Sequence, residues 1–192
     1  SACLVGSEMC IRDRRIGNDH VVIADAKRGD IGNTGLHYAN AFFNHFNCDA
    51  ITVSPYMGEE SIEPFISNPS KGAYVLCRTS NKSSTFIQEE IYSKVISLCE
   101  ALNNQQNIGL VVGATNNDAL MQVRNSTDLP FLIPGIGAQG GDLQSVLKIN
   151  EKNMDTTLIN VSRGIIFSGN KDHDSIRNSA KQYLNQIRGL NG

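Results

Sequence analysis

The chain has 192 residues with 17 basic and 19 acidic side chains, a formal net charge of −2. That length holds one domain with a real core, and the balanced charge supplies no basic field of the kind that draws nucleic acid or an anionic membrane surface. No apolar run approaches the ~20 residues that span a bilayer, and the first residues carry Glu8, Arg12, Asp13 and Arg14 in place of a signal-peptide core.

In chain order, residues 1–14 read as a non-native leader similar to translated sequencing-adapter sequence, and 15–192 as the folded domain. A compact β-branched run follows at 21–26 and predicts a strand. From Thr34 the apolar residues Leu36, Ala39, Phe42, Phe43 and Phe46 share a helical face. A second strand is expected at 50–54, then a brief helix over 59–66 broken by Pro64. The third strand is at 73–77. The next helix starts at Thr85, with Ile87, Ile91, Val95, Leu98 and Leu102 on one stripe and Gln88 placed to complete a capping box. A strand at 108–112 leads to a helix after Asn116-Asn117 that uses Ala119, Leu120 and Val123. A strand at 131–133 leads to a helix near Asp142 that uses Leu143, Val146 and Leu147. The last pair is a strand at 157–161 and a helix near Asp174 with Ile176, Ala180, Tyr183, Leu184 and Ile187.

Strand runs this short and this apolar are buried on both faces, as in a parallel sheet, and their alternation with helices defines an α/β fold. Five of the six strands end on polar or small residues: Asp25, Ser54, Thr79, Gly113 and Ser162-Arg163. A site gathered from many strand ends belongs to a (β/α)8 TIM barrel, whereas an open sheet uses one switch point. The expected fold is therefore an incomplete barrel with about six of eight β-α units, the shortfall lying at the N-terminus. The five cysteines (Cys3, Cys10, Cys48, Cys77, Cys99) are odd in number and include no C-x-x-C, which predicts reduced thiols in a cytoplasmic protein. His20, His37, His45 and His173 have no metal-ligand spacing, so no metal is expected.

The sharpest motif runs from Asp25 to Thr34. Asp25 and Lys27, two apart at a strand end, point to one face, and Asp30 lies just beyond. Charges drawn together there need partners, so the stretch predicts a charge network at the carboxyl rim of the sheet. Late in the chain, Gly135-Ile136-Gly137-Ala138-Gln139-Gly140 satisfies G-x-G-x-x-G. Its position, the preceding Pro134 and the lack of an acid at the end of a following strand argue against a dinucleotide fingerprint. In a barrel this loop and Arg163 occupy the phosphate-binding places after the seventh and eighth strands.

Asp25-x-Lys27-x-x-Asp30 with Ile31-x-x-Thr34 resembles the signature of the orotidine monophosphate decarboxylase family. Ser54-Pro55-Tyr56-Met57-Gly58, Arg78-Thr79-Ser80-Asn81, the loop from Pro134 to Asp142, and Ser162-Arg163-Gly164 fit that family in the same order. The resemblance covers about Arg15 to the C-terminus. It implies cofactor-free, metal-free decarboxylation of orotidine 5′-phosphate to UMP in pyrimidine biosynthesis. Lys27 is implied as proton donor, with Asp25 crowding the departing carboxylate and Asp30 completing the catalytic set. Ile31, Thr34, Ser80, Pro134, Gln139, Ser162 and Arg163 are implied as substrate-binding residues, Ser80 on a lid and Gln139 with Arg163 on the phosphate. A homodimer is implied too, with Asp30 and Thr34 reaching the partner's site. The family's first two β-α units, which carry a ribose-binding Asp and a further Lys, have no counterpart here, and the 192 residues alone are expected to be poorly soluble and inactive. Two other readings stand beside this one: a magnesium-dependent 3-keto-gulonate 6-phosphate decarboxylase, and an inactive fragment that only binds a phosphate ligand.

Overall fold

The computed structural model describes residues 20–137 and 139–189; the leader assigned to 1–14 lies outside them. Among these residues six strands and seven α-helices follow in chain order: β1 (Ile23–Arg28), α1 (Gly32–Asn40), β2 (Ala50–Val53), α2 (Glu63–Ile66), β3 (Gly72–Arg78), α3 (Thr85–Leu102), β4 (Ile108–Val112), α4 (Asn117–Ser126), β5 (Phe131–Pro134), α5 (Leu143–Ile149), β6 (Thr157–Asn160), α6 (Arg163–Ile166) and α7 (His173–Gly189). The strands form one sheet in the sequential order β1-β2-β3-β4-β5-β6, and the paired strands run parallel. A doubly wound sheet reverses its order at a switch point. Sequential order without reversal is that of the (β/α)8 barrel, and six of its eight units lie among the described residues.

The chain divides into two compact units. The first runs to Val75 and takes back Leu102–Ile108. Its core is formed by Ile51, Val53, Ile62, Phe65 and Val75, all without solvent exposure. Phe43 packs edge-on against Phe65, with ring centroids 6.5 Å apart. The Asn107 amide ties the unit's turns together by donating to the carbonyls of Ile66 and Lys71. The second unit, Leu76–Ala101 and Gly109 onward, centres on Leu110, Val112, Leu120, Val123, Phe131, Ile133 and Val146. Arg124 is buried there, lies 3.4 Å from the centroid of the Phe131 ring, and donates to Asn150 and to the carbonyls of Thr127 and Leu129.

Four local expectations are corrected. Strand β1 runs on to Arg28, so Asp25 and Lys27 lie inside the strand and not at its end. The brief helix expected over 59–66 is split at Ile62, ahead of Pro64, into a 3-10 turn at Glu59–Ser61 and α2, and Pro64 sits in the first turn of α2, where its missing N–H costs nothing. The capping box at Thr85 does not form. A 3-10 turn at Lys82–Ser84 leads into α3, and Gln88 is drawn away to Thr79, whose N–H it accepts at 2.7 Å. Finally, the Ser162-Arg163 segment opens a short helix, α6, that the apolar pattern did not announce.

Candidate active site

The first cluster is built on β1 in the first unit. Lys27 Nζ pairs with Asp25 Oδ1 at 2.5 Å, the neighbourly placement that a spacing of two suggests, but reached by another route. The β1–β2 register shifts between Ala24 and Arg28, and Lys27 itself adopts φ +49°. A left-handed non-glycine residue costs on the order of 1 kcal/mol, and such strain persists only where its surroundings hold it. Thr52, fully buried on β2, supplies the hold. Its Oγ1 accepts the Lys27 N–H at 2.9 Å and donates to Asp25 Oδ1 at 3.0 Å. One hydroxyl therefore fixes both the backbone of the lysine and the carboxylate that faces its amine. The pair is half exposed, 50% for the Lys27 side chain and 60% for Asp25. Among the described residues β1 is paired along one edge only, by β2, and water reaches the pair.

Asp30 is not joined to Lys27 in the same way. Its Oδ1 accepts the N–H of Ile31 at 2.9 Å and so holds the chain at the entry to α1. Ile31 is extended and 53% exposed, and Thr34 stands exposed in the first turn of that helix. Gly29 has to be glycine, because a methyl group there would meet the Ser54 carbonyl oxygen at 2.7 Å. Ser54 in turn donates its N–H to the Arg28 carbonyl.

The second cluster lies in the second unit and is made largely of backbone. Gly135, Gly137 and Gly140 have φ of +102°, +73° and +91°, a path open to glycine. The loop closes on itself: Gly137 N–H donates to Gly141, Gly140 N–H to Gly137, and Gly141 N–H to Gly135. Those three N–H groups are therefore spent within the loop. The start of α5 is likewise occupied by its own anion. The Asp142 carboxylate accepts the N–H and hydroxyl of Ser145, and those bonds, the hydroxyl's first, hold its pKa below the usual carboxylate range. What the segment offers a ligand is thus side chain more than helix terminus.

Ser80 and Gln139 converge there. A methyl group on Gly135 would lie 3.0 Å from Gln139 Oε1 and 3.1 Å from Ser80 Oγ. Gly113 gives Ser80 its room, since a methyl there would stand 2.7 Å from the Ser80 hydroxyl, and Thr115 Oγ1 donates to the Ser80 carbonyl. Pro134 ends β5 and its carbonyl accepts the N–H of Ala114. Ser162 caps α6 by accepting the N–H groups of Ile165 and Ile166 on its carbonyl, while its hydroxyl donates to Asn160. Arg163 follows, exposed, and among the described residues no acid pairs with it. Arg78, two residues before Ser80, turns the other way: it is buried, pairs with Glu89 at 2.6 Å and stacks on Tyr92.

Sequence reasoning missed Thr52 and Thr115, and gave Gln88 a different partner. Thr52 leaves a faint signal, a lone hydroxyl in an otherwise apolar strand run. Among the described residues no cluster of His, Cys, Asp and Glu is placed to hold a metal, and no helix is long and apolar enough to cross a membrane.

A parallel α/β barrel segment with charged and glycine-loop clusters beside its strands is the frame of a small-molecule enzyme. Comparison narrows that class. The model of the orotidine 5′-phosphate decarboxylase / HUMPS family matches residues 7–175, beginning inside the 1–14 segment. A Dehalococcoides mccartyi relative named orotidine 5′-phosphate decarboxylase is 43% identical over 186 residues, covering 90% of this chain and 69% of that protein. The Leishmania donovani OMP decarboxylase structure superposes with a TM-score of 0.87 at 38% identity, over 96% of this chain and 74% of that one. The Leishmania donovani UMP synthase structure gives 0.88 at 39% identity, over 96% of this chain and 42% of the longer one. The chain belongs to the orotidine 5′-phosphate decarboxylase / HUMPS family.

Proposed function

We propose that the enzyme to which residues 15–192 contribute the catalytic portion decarboxylates orotidine 5′-phosphate to uridine 5′-phosphate. The observation that carries the reading is the Asp25–Lys27 pair on Thr52, within the D-x-K-x-x-D stretch of a chain whose relatives bear that enzyme's name. Loss of carbon dioxide leaves a carbanion in the plane of the pyrimidine ring, beyond the reach of its π system. Catalysis of such a step approaches the upper end of enzymatic barrier reduction, about 23 kcal/mol. Lys27, as an ammonium, stabilises the developing charge and delivers the proton to the ring carbon. Asp25 crowds the departing carboxylate and keeps the amine in place. Gln139 and Arg163 hold the phosphate, with Pro134 and Ser162 beside them, and Ser80 contacts the base from a lid. Binding at the phosphate, remote from the reacting carbon, drives closure and offsets strain at the reacting end.

The protein acts as a homodimer in which Asp30 and Thr34 serve the partner's site, with Ile31 binding substrate beside them. The exposed apolar pair Ile31 and Leu36 next to them supports this. A cytoplasmic location is part of the same reading, supported by the buried unpaired thiols of Cys77 and Cys99. The reaction uses neither cofactor nor metal, and the named relatives favour it over the magnesium-dependent sugar-phosphate alternative.

The test is release of carbon dioxide from carboxyl-labelled orotidine 5′-phosphate in the presence of a chelator. It is run on the 192-residue chain and on an eight-unit protein, in which the first two β-α units of a relative precede residues 15–192. Turnover by the eight-unit protein in chelator is expected. Turnover that appears only with magnesium would favour the sugar-phosphate enzyme, and phosphate-ligand binding without turnover would favour the inactive fragment.

A further inference from the structure

The apolar stripe of α7 includes one tyrosine, whose hydroxyl no apolar packing calls for. Tyr183 is half-buried, and its Oη is the nearest atom to two glycines at once: a methyl group on Gly137 would lie 2.8 Å from it, and one on Gly164 2.7 Å. Gly137 belongs to the glycine loop, and Gly164 follows Arg163. Four residues earlier on the same helical face, Ser179 Oγ donates to the Gly164 carbonyl at 2.9 Å. One turn of α7 thus grips the Arg163-Gly164 segment by a hydrogen bond and touches the glycine loop through the same tyrosine. Both segments have glycine where the oxygen sits; Gly137 also needs it for its positive φ, whereas Gly164 has no such need.

We propose that Tyr183 is a positioning residue: its hydroxyl, seated between Gly137 and Gly164, sets the separation of the glycine loop from the Arg163 segment and so the reach of Gln139 and Arg163 around the phosphate of a nucleoside monophosphate. This rests on the phosphate-binding role given to those two residues above. The hydroxyl acts as a spacer of fixed length on a rigid ring. Removing it leaves the ring and the helix in place but lets two segments that bracket the phosphate drift by a few tenths of an ångström.

The test uses the full chain and titration calorimetry with uridine 5′-phosphate and, separately, uridine. Tyr183→Phe is expected to weaken uridine 5′-phosphate binding about tenfold, a change in one direction of Kd that calorimetry resolves. It is expected to leave uridine binding and the melting temperature unchanged. Gly164→Ala should weaken uridine 5′-phosphate binding by striking the hydroxyl, and adding Tyr183→Phe to it should recover part of the loss. The proposal is overturned if Tyr183→Phe binds uridine 5′-phosphate as tightly as the unmodified chain, or loses the nucleoside and the nucleotide alike. If the unmodified chain fails to prefer nucleotide over nucleoside, the phosphate role of Gln139 and Arg163 falls first and the tyrosine's with it, so the two failures are told apart.

Discussion

At β1 the chain positions charge with side chains, whereas after β5 it shapes a loop with backbone. In the first unit a lysine is held in a left-handed conformation so that its amine meets Asp25, and a single buried threonine holds both. In the second, three glycines follow positive φ and the loop spends its own N–H groups, which leaves the side chains of Gln139 and Ser80 beside Gly135. The difference follows from the work proposed for each. A proton donor has to be fixed to a fraction of an ångström at one atom, and strain is tolerated there. A phosphate group is bulky and multiply charged, and needs room and an unpaired cation more than a single exact partner.

That contrast is broken most forcefully at Asp25. Asp25→Asn removes the charge facing Lys27 and should lower kcat of the eight-unit protein by at least about a hundredfold, the low end of what a positioned acid–base group contributes. A kcat within a few-fold of the unmodified protein would show the pair to be structural. Next comes Arg163→Ala, expected to raise KM for orotidine 5′-phosphate by about ten- to a hundredfold through loss of a charge-assisted contact worth ~1.5–3 kcal/mol. It should leave the slow reaction of phosphate-free orotidine nearly untouched. Equal losses with both substrates would deny Arg163 its phosphate.

Much of this comparison is legible in the sequence, and the reasons are physical. Six apolar runs separated by amphipathic stretches specify alternating strands and helices because burial on both faces of a parallel sheet leaves no other pattern. The spacing of Asp25, Lys27 and Asp30, and the cluster of glycines between Pro134 and Asp142, likewise mark two local sites. What the sequence withholds depends on contacts between distant residues. Nothing local tells that Lys27 is left-handed, since the bulge arises from register against β2. Nothing tells that Gln88 would serve Thr79 and not its own helix end. The same holds for Thr52, 25 residues from Lys27, whose hydroxyl reads as a strand residue until the two strands are paired.

Thr52→Val sharpens the contrast at smaller scale. It keeps the shape of the strand but takes away the acceptor of the Lys27 N–H and the donor to Asp25. A loss of ~1 kcal/mol in unfolding free energy is expected, together with a fall in kcat and little change in KM. A rise in KM with unchanged kcat would place Thr52 with the binding surface instead. A further effect appears only at high pH and belongs to the second unit's frame alone. Burial pushes the thiols of Cys77 and Cys99 from the ordinary 9.0 up to about 12, the nearby Arg78 pulling Cys77 part of the way back. The unfolded chain releases those protons first, so stability is full below pH 9.0 and declines as pH rises towards about 12. A denaturation midpoint measured across that window should fall, and should fall less in Cys99→Ala. Rapid alkylation of either thiol in the native protein at neutral pH would contradict their burial.

The most direct measurement compares carbon dioxide release from labelled orotidine 5′-phosphate by the eight-unit protein and by its Lys27→Ala form, each at saturating substrate. With Lys27 as the proton donor, the substituted protein retains less than about one per cent of the rate while still binding uridine 5′-phosphate. A substituted protein that keeps more than that, with binding intact, would remove Lys27 from the chemistry and leave the Asp25–Lys27 pair as an ornament of the strand.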